Sequence, residues 1–299
     1  MISSNSKLDL KLGYMVVRDA EIRKVHLSEI SVLIIESTAV SLTAMLLCEL
    51  NRRKIKVIFC DECHNPYGEL ISLHGSHDSS SKIRSQIGWD ADSKSRAWME
   101  IVRMKINMQA DLVSNFDYDR ALMIRSFADE LLPGDSTNRE GHAVKVYFNS
   151  LFGLQFSRKS GNPINSLLNY GYSVLLSAVN REIAGLGYVT ELGLFHNNVD
   201  NPFNLGSDIM EPLRPIVDSV VLNLPPELNP DTKHALAGIL NKTVFIDGKV
   251  QYLNNALRIY VKSVTDAVEA GDPSSIKFCY YERQSDEADC LLRSASQDC

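Results

Sequence analysis

His74-Gly-Ser-His-Asp-Ser-Ser-Ser-Lys82 divides the chain. The stretch is polar, carries glycine and serines and has no hydrophobic period, so it reads as a domain boundary or exposed linker. On its N-terminal side, Tyr14-Met-Val-Val-Arg, Ser31-Val-Leu-Ile-Ile-Glu and Lys56-Val-Ile-Phe-Cys are short β-branched runs bounded by polar turns, as strands are. Between the last two, Leu42, Met45, Leu46 and Leu50 recur at helical spacing behind Ser41 or Thr43 as a cap. On its C-terminal side the pattern turns helical, with helices predicted for 82–110, 115–131, 138–152, 165–186, 208–222 and 250–270. The expected class is α+β: a small β-rich domain over 1–75, then an all-α domain over 76–281 built by helix-on-helix packing. After Tyr281 the apolar period is lost, and 282–299 reads as a disordered tail.

At 299 residues, 44% hydrophobic and 23% charged, the chain has the composition of an ordinary globular protein with a full core. No apolar run reaches the roughly 20 residues of a membrane span, and the first residues lack a signal-peptide core, so the expectation is a cytoplasmic protein with no membrane partner. A net charge of −6 by itself argues weakly against a nucleic-acid binder. A phosphate groove needs only a local basic surface, however, and Arg52-Arg53-Lys54-Ile-Lys56 and Lys82-Ile-Arg84 offer two. Six cysteines without a secretory signal read as free thiols. Cys60-Asp-Glu-Cys63-His64 spells a haem-attachment motif, but that chemistry belongs to exported proteins. A zinc site there would need a second ligand pair, for which only scattered residues such as His74 and His77 are on hand.

The chemistry-bearing stretch is His196-Asn-Asn-Val-Asp-Asn-Pro-Phe-Asn-Leu-Gly-Ser-Asp208-Ile-Met-Glu211-Pro-Leu-Arg214-Pro. It gathers one imidazole and two carboxylates, and Glu140 adds a third from the first turn of a helix behind Asn138. One nitrogen and two or three carboxylate oxygens suit Mg²⁺ or Mn²⁺, with positions left for water and phosphate. Plainer roles compete for each residue. Glu140 would complement a helix dipole, a lone histidine is usually a surface group, and Asp208-x-x-Glu211 is a variant capping box in which either acid could cap while the other binds metal. Arg139 and Arg214 are candidates for a phosphate contact or for an ion pair with a nearby acid.

Asn138-Arg-Glu-Gly-His-Ala, Asn165-x-x-Leu-Asn169-Tyr-Gly-Tyr172, Leu-Gly-Leu-Phe-His196 and Ser-Asp208-Ile-Met-Glu211-Pro-Leu-Arg-Pro together resemble the CRISPR-associated adaptation integrases, the Cas-one family, most closely its type II version. His26-Leu-Ser-Glu-Ile, Lys56-Val-Ile-Phe-Cys-Asp and His77-Asp-Ser-Ser-Ser-Lys-Ile-Arg-Ser-Gln-Ile-Gly-Trp89 extend the likeness, which runs from about residue 2 to about 270. The resemblance implies metal ligands Glu140, His196 and Glu211, with Asp208 nearer the cap as a helper. It implies metal-assisted joining of the 3′-hydroxyl ends of short duplex DNA to a CRISPR repeat, with endonuclease side activity. It also implies double-stranded DNA as partner, a homodimer formed through the β-rich domain, and a small ferredoxin-like partner whose dimer bridges two such dimers into a heterohexamer. A type II effector nuclease and a DNA-end-binding ring protein are further implied partners. Asn204 and Arg139 are assigned supporting roles, and Lys82 and Arg84 backbone-phosphate contacts. The family's usual opening strand, of the Gly-Trp-Arg-Thr-Val type, is matched only in part, and the tail beyond about Lys277 is not matched. A general metal-dependent DNA nuclease and a non-catalytic DNA-binding scaffold are the competing readings.

Overall fold

The computed structural model describes residues 1–62, 66–72, 78–132, 135 and 137–281. The expectations for Cys63, His64, His74, His77 and the tail from 282 lie outside the described residues.

The chain opens with the antiparallel strands β1 (Lys7–Lys11), β2 (Tyr14–Arg18) and β3 (Ile22–His26), followed by β4 (Val32–Ile35) and the short β5 (Ser41–Leu42). Then come α1 (Ala44–Arg52), β6 (Lys56–Cys60) and β7 (Pro66–Glu69). Two sheets result, β3-β2-β1-β5 and β4-β6-β7, with β4 and β6 parallel across α1. Thr43, one of the two caps the sequence offers, starts α1 by accepting from the Leu46 amide at 3.3 Å.

The apolar runs of β4 and β6 are explained by burial on both faces. With a period of two, Leu33, Ile35 and Val57 point into the small N-terminal core beside Leu46 and Leu50, whereas Ile34, Ile58 and Cys60 point into the large helical core. Buried ion pairs reinforce the junction. Lys56 meets Glu69, and Lys233 Nζ lies 2.6 Å from Glu36 Oε1. Burial pushes the Lys56 ammonium down to about 8 despite Glu69. Lys56 is therefore structural rather than part of a phosphate surface, and Arg52 and Arg53 pair with Glu49.

The second region contains α2 (Ser79–Ile87), α3 (Ala91–Val113), α4 (Tyr118–Asp129), α5 (Arg139–Phe152) and α6 (Pro163–Gly185). Next are α7 (Asn204–Met210), a 3₁₀ turn (Glu211–Leu213), α8 (Arg214–Val221) and α9 (Pro230–Ala237). The strands β8 (Thr243–Ile246) and β9 (Lys249–Tyr252), α10 (Leu253–Ala270) and β10 (Tyr280–Tyr281) complete it. The region is mostly helical, as expected, but β10-β8-β9 form a small sheet that the helical reading of 76–281 omitted. No helix among the described residues is long and apolar enough to cross a membrane.

Two predicted helices are broken. The first, 82–110, splits at Gly88-Trp89, because Asp90 accepts from the Ser93 amide at 3.0 Å and starts α3 afresh. The second, 208–222, begins earlier, at Asn204, and is interrupted by the 3₁₀ turn. Pro212 and Pro215 have no N–H to give the carbonyls of residues 208 and 211, so the ladder changes step there.

α6 is apolar around most of its circumference, from Leu167 to Ile183, and forms the axis of the large core. It approaches α8 and α9 closely through Gly171, where an added Cβ would stand 2.4 Å from Val217 Cγ1 and 3.2 Å from Leu236 Cδ2. Gly171→Ala is therefore expected to destabilise the fold by about 1–3 kcal/mol through overpacking, read as a lower urea midpoint with an unchanged slope.

Candidate active site

The centre of the site is Asp208, fully buried within α7. Its Oδ2 accepts from the Leu194 and Phe195 amides at 2.6 and 3.0 Å, and its Oδ1 accepts from the His196 amide at 3.2 Å. Oδ1 also meets His196 Nδ1 at 2.5 Å. Asp208 is thus not a helix cap, because α7 begins four residues before it. Its carboxylate anchors the segment that presents the imidazole, and holding Nδ1 leaves Nε2 as the ring nitrogen free of that bond. Asn204 supports the same loop, donating to the Glu191 and Asn198 carbonyls at 2.9 Å each. Trp98 stacks on Phe195 with centroids 4.7 Å apart and meets the His196 ring edge-on at 5.7 Å. The hydrogen bond to Asp208 holds the imidazole pKa above its ordinary value against partial burial, with added help from the charges of Asp208, Glu211 and Glu140.

Glu140 sits in the first turn of α5, but Asn138 does not cap it. Asn138 is in the left-handed region and makes no side-chain cap bond. Asp135 does this instead, with its two oxygens accepting from the Arg139 and Glu140 amides at 2.7 and 3.0 Å. Glu211 starts the 3₁₀ turn and is buried. Between these carboxylates lies a residue the sequence reading missed: Lys105 Nζ is 2.5 Å from Glu140 Oε1 and 2.6 Å from Glu211 Oε2. Arg214 grips the other oxygen of Glu211, with Nε and Nη2 both 2.9 Å from Oε1, while its guanidinium lies 4.7 Å over the Tyr172 ring. Burial alone would push the Glu211 carboxyl up, but Lys105 and Arg214 overcome it and hold the group at about 2. Glu211 is therefore anionic at any physiological pH.

The structure thus brings Glu140, His196, Asp208 and Glu211 into one neighbourhood. As the side chains stand, no three His, Cys, Asp or Glu groups among the described residues are disposed to close around one ion. The donor set nevertheless fits a hard divalent cation. It offers two carboxylates from separate elements and an oriented imidazole, and the buried Glu211 Oε2 has no well-angled hydrogen bond of its own. Glu140, His196 and Glu211 are the residues that would hold such an ion.

The remaining candidates are placed elsewhere. Arg139 pairs with Glu130 at 3.0 Å, so its guanidinium is committed away from the other site residues. Lys82 donates to Tyr188 at 3.0 Å and pairs with Glu269 at 3.4 Å, tying α2 to α10, while Arg84 is exposed. Among the described cysteines, Cys48 is exposed and Cys60 and Cys279 are buried as free thiols.

Behind Arg214 lies a buried polar group. Asp218 accepts from Tyr147 at 2.6 Å and Tyr172 at 2.5 Å. Burial raises its carboxyl to about 6, more than its tyrosine and arginine neighbours lower it. A folded-state value above the unfolded one means that the native protein binds the extra proton. Asp218 should thus cost stability as pH rises from 3.8 to about 6, and no further above that. Asp218→Asn is expected to flatten this decline by up to about 2–3 kcal/mol in urea titrations run across that range.

Known proteins resemble the chain in sequence and in fold. Residues 1–234 match the family described as CRISPR associated protein Cas1. The CRISPR-associated endonuclease Cas1 of Neisseria meningitidis serogroup C (strain 8013) is 35% identical over 255 residues, covering 83% of this chain and 84% of that protein. A casposase bound to integration product shares the fold at a TM-score of 0.75 and 18% identity, over 98% of this chain and 97% of that one. A Cas6-RT-Cas1–Cas2 complex matches with a TM-score of 0.71 at 18% identity, over 92% of this chain but only 35% of the longer polypeptide.

Proposed function

The chain belongs to the Cas1 family of CRISPR-associated proteins, and from that premise we propose that it is a Mg²⁺- or Mn²⁺-dependent DNA integrase of spacer acquisition. The observation that carries this reading is the meeting of Glu140 and Glu211 at one cation, Lys105, beside an imidazole oriented by Asp208. A divalent ion held there supplies Lewis acidity, polarising a phosphoryl oxygen and offsetting charge that grows in the transition state.

The residues of the chain do the rest. Asp208 keeps the His196 ring in one orientation, so no imidazole reorganisation accompanies the reaction. Arg214 and Lys105 place positive charge beside the position a scissile phosphate would take. In the proposed reaction the 3′-oxygen of the incoming duplex forms a bond to phosphorus as the repeat strand's bond to its own 3′-oxygen breaks. One phosphodiester replaces another, and the proton lost by the attacking hydroxyl balances the one gained by the leaving oxygen. With water in place of the 3′-hydroxyl the same groups would cut DNA, which is the expected endonuclease activity.

Assembly follows the family pattern in this proposal: a homodimer through the N-terminal domain, and a heterohexamer with a small ferredoxin-like partner on double-stranded DNA. The exposed Leu12, Tyr14 and Ile22 of the first sheet support an interface there. A type II effector nuclease and a DNA-end-binding ring protein would select the captured DNA. Lys82 and Arg84 would lie along the DNA backbone, with the exposed Arg84 the freer of the two. The test is strand transfer of a short 3′-hydroxyl duplex into a supercoiled repeat plasmid with the small partner present. Joined product in Mg²⁺ or Mn²⁺ and none in chelator supports the proposal. Nicking without joining would favour a plain nuclease.

A further inference from the structure

Lys105 has no part in the proposed ligand set, yet it sits at its centre. It belongs to the stripe Trp98, Ile101, Lys105, Met108 and Leu112, which α3 buries against the rest of the core. A lysine on such a stripe is unfavourable unless a partner meets its charge. Here two partners do, one from α5 and one from the 3₁₀ turn before α8, so a single ammonium joins three elements.

The two oxygens of Glu211 are treated differently. Arg214 holds Oε1 with a charge-assisted hydrogen bond from Nε and an ion-pair contact from Nη2, both at 2.9 Å. Among the described residues Oε2 is met by the Lys105 ammonium alone, as a charge contact without a well-angled hydrogen bond. On Glu140, Lys105 covers Oε1. The oxygens that Lys105 covers are thus those that Arg214 leaves available on Glu211 and that Glu140 presents beside them. Two carboxylates and two basic groups make the cluster neutral as it stands.

We infer that Lys105 is an internal counter-cation occupying the carboxylate oxygens a divalent ion would use, so that ion and ammonium compete for Glu140 and Glu211. This rests on the metal-dependent reading above. Lys105 is then a positioning residue. It stops the two carboxylates from repelling each other when no ion is bound, and it must leave them when one arrives. A divalent ion added to this neutral cluster, with the displaced ammonium still nearby, would make the site net positive, which suits a phosphodiester.

The test measures Mn²⁺ binding by the electron paramagnetic resonance signal of free Mn²⁺, on the full chain, together with melting temperature in EDTA and in saturating Mn²⁺. Lys105→Met removes the competitor, so Mn²⁺ affinity is expected to rise by roughly tenfold or more. Its melting temperature should fall by several degrees in EDTA, where two acids are left facing each other. The rise produced by Mn²⁺ should exceed that of the wild type. Lys105→Arg keeps the charge and covers the case in which Lys105→Met fails to fold without metal. It should melt near the wild type in EDTA and bind Mn²⁺ no more tightly. Unchanged or weaker Mn²⁺ binding by folded Lys105→Met, or tighter binding by Lys105→Arg, would overturn the competition while leaving the metal reading intact. A wild-type protein that binds no Mn²⁺ lost on Glu140→Gln would overturn both.

Discussion

Glu211→Gln is expected to reduce strand transfer by roughly 10³-fold or more while leaving the chain folded and able to hold DNA. The substitution keeps the volume of the side chain and one oxygen, so Arg214 retains an acceptor. It removes the negative charge that Lys105 and Arg214 both face at 2.6–2.9 Å. The site then has one carboxylate for a divalent ion instead of two, and an excess of positive charge that discourages the ion further. Duplex DNA binding should persist, because no basic residue is lost. Glu140→Gln and His196→Ala should behave alike, since each removes one member of the proposed ligand set. Quantified joining in Mn²⁺, set beside a DNA-binding isotherm for each variant, checks this. Variants that still join DNA would mean that these groups are caps and ion pairs on a scaffold.

Asp208→Ala is expected to cost about 3–5 kcal/mol of stability and to abolish joining as well. Few residues of the chain are so heavily used: three backbone amides and an imidazole converge on one carboxylate that is fully buried. Removing it leaves the amides of 194–196 without their acceptor, that of Leu194 buried, and frees the His196 ring. Gly193 is packed so close that an ideal Cβ there would lie 2.7 Å from Asp208 Oδ2 and 2.4 Å from the His196 carbonyl oxygen, so the loop has little room to repack. Asp208→Asn should recover part of the stability and little of the activity, because its amide nitrogen cannot accept those hydrogen bonds. Urea midpoints for the three proteins would show this order. An Asp208→Ala protein as stable as the wild type would contradict the assigned role.

The order of a β-rich region followed by a mostly helical one was legible because its signal is local. Short β-branched runs before the polar linker and 3.6-residue stripes after it are local patterns, and β4, β6 and α6 lie where those patterns put them. What failed were inferences about which group meets which. Asn138 looked like the cap of α5, but a carboxylate three residues upstream reaches further and carries charge. Asp208-x-x-Glu211 looked like a cap because the helix start was placed at the acid rather than at Asn204. The strands β8 and β9 were missed although Asp247-Gly248, both at positive φ, is a strong signal for a tight hairpin. Lys105 could have been flagged as the one charge on the Trp98–Leu112 stripe. Its partners lie 35 and 106 residues away, however, and no local pattern names them. The candidate residues were readable as types, and their geometry was not.

The most direct test of the account is anomalous diffraction from crystals of the full chain grown with Mn²⁺. One peak is expected, bounded by the Glu140 and Glu211 carboxylates and His196 Nε2, at about 2.0–2.3 Å from each, with the Lys105 ammonium moved off both acids. A peak elsewhere, or none while Lys105 still bridges Glu140 and Glu211 at saturating Mn²⁺, would contradict it.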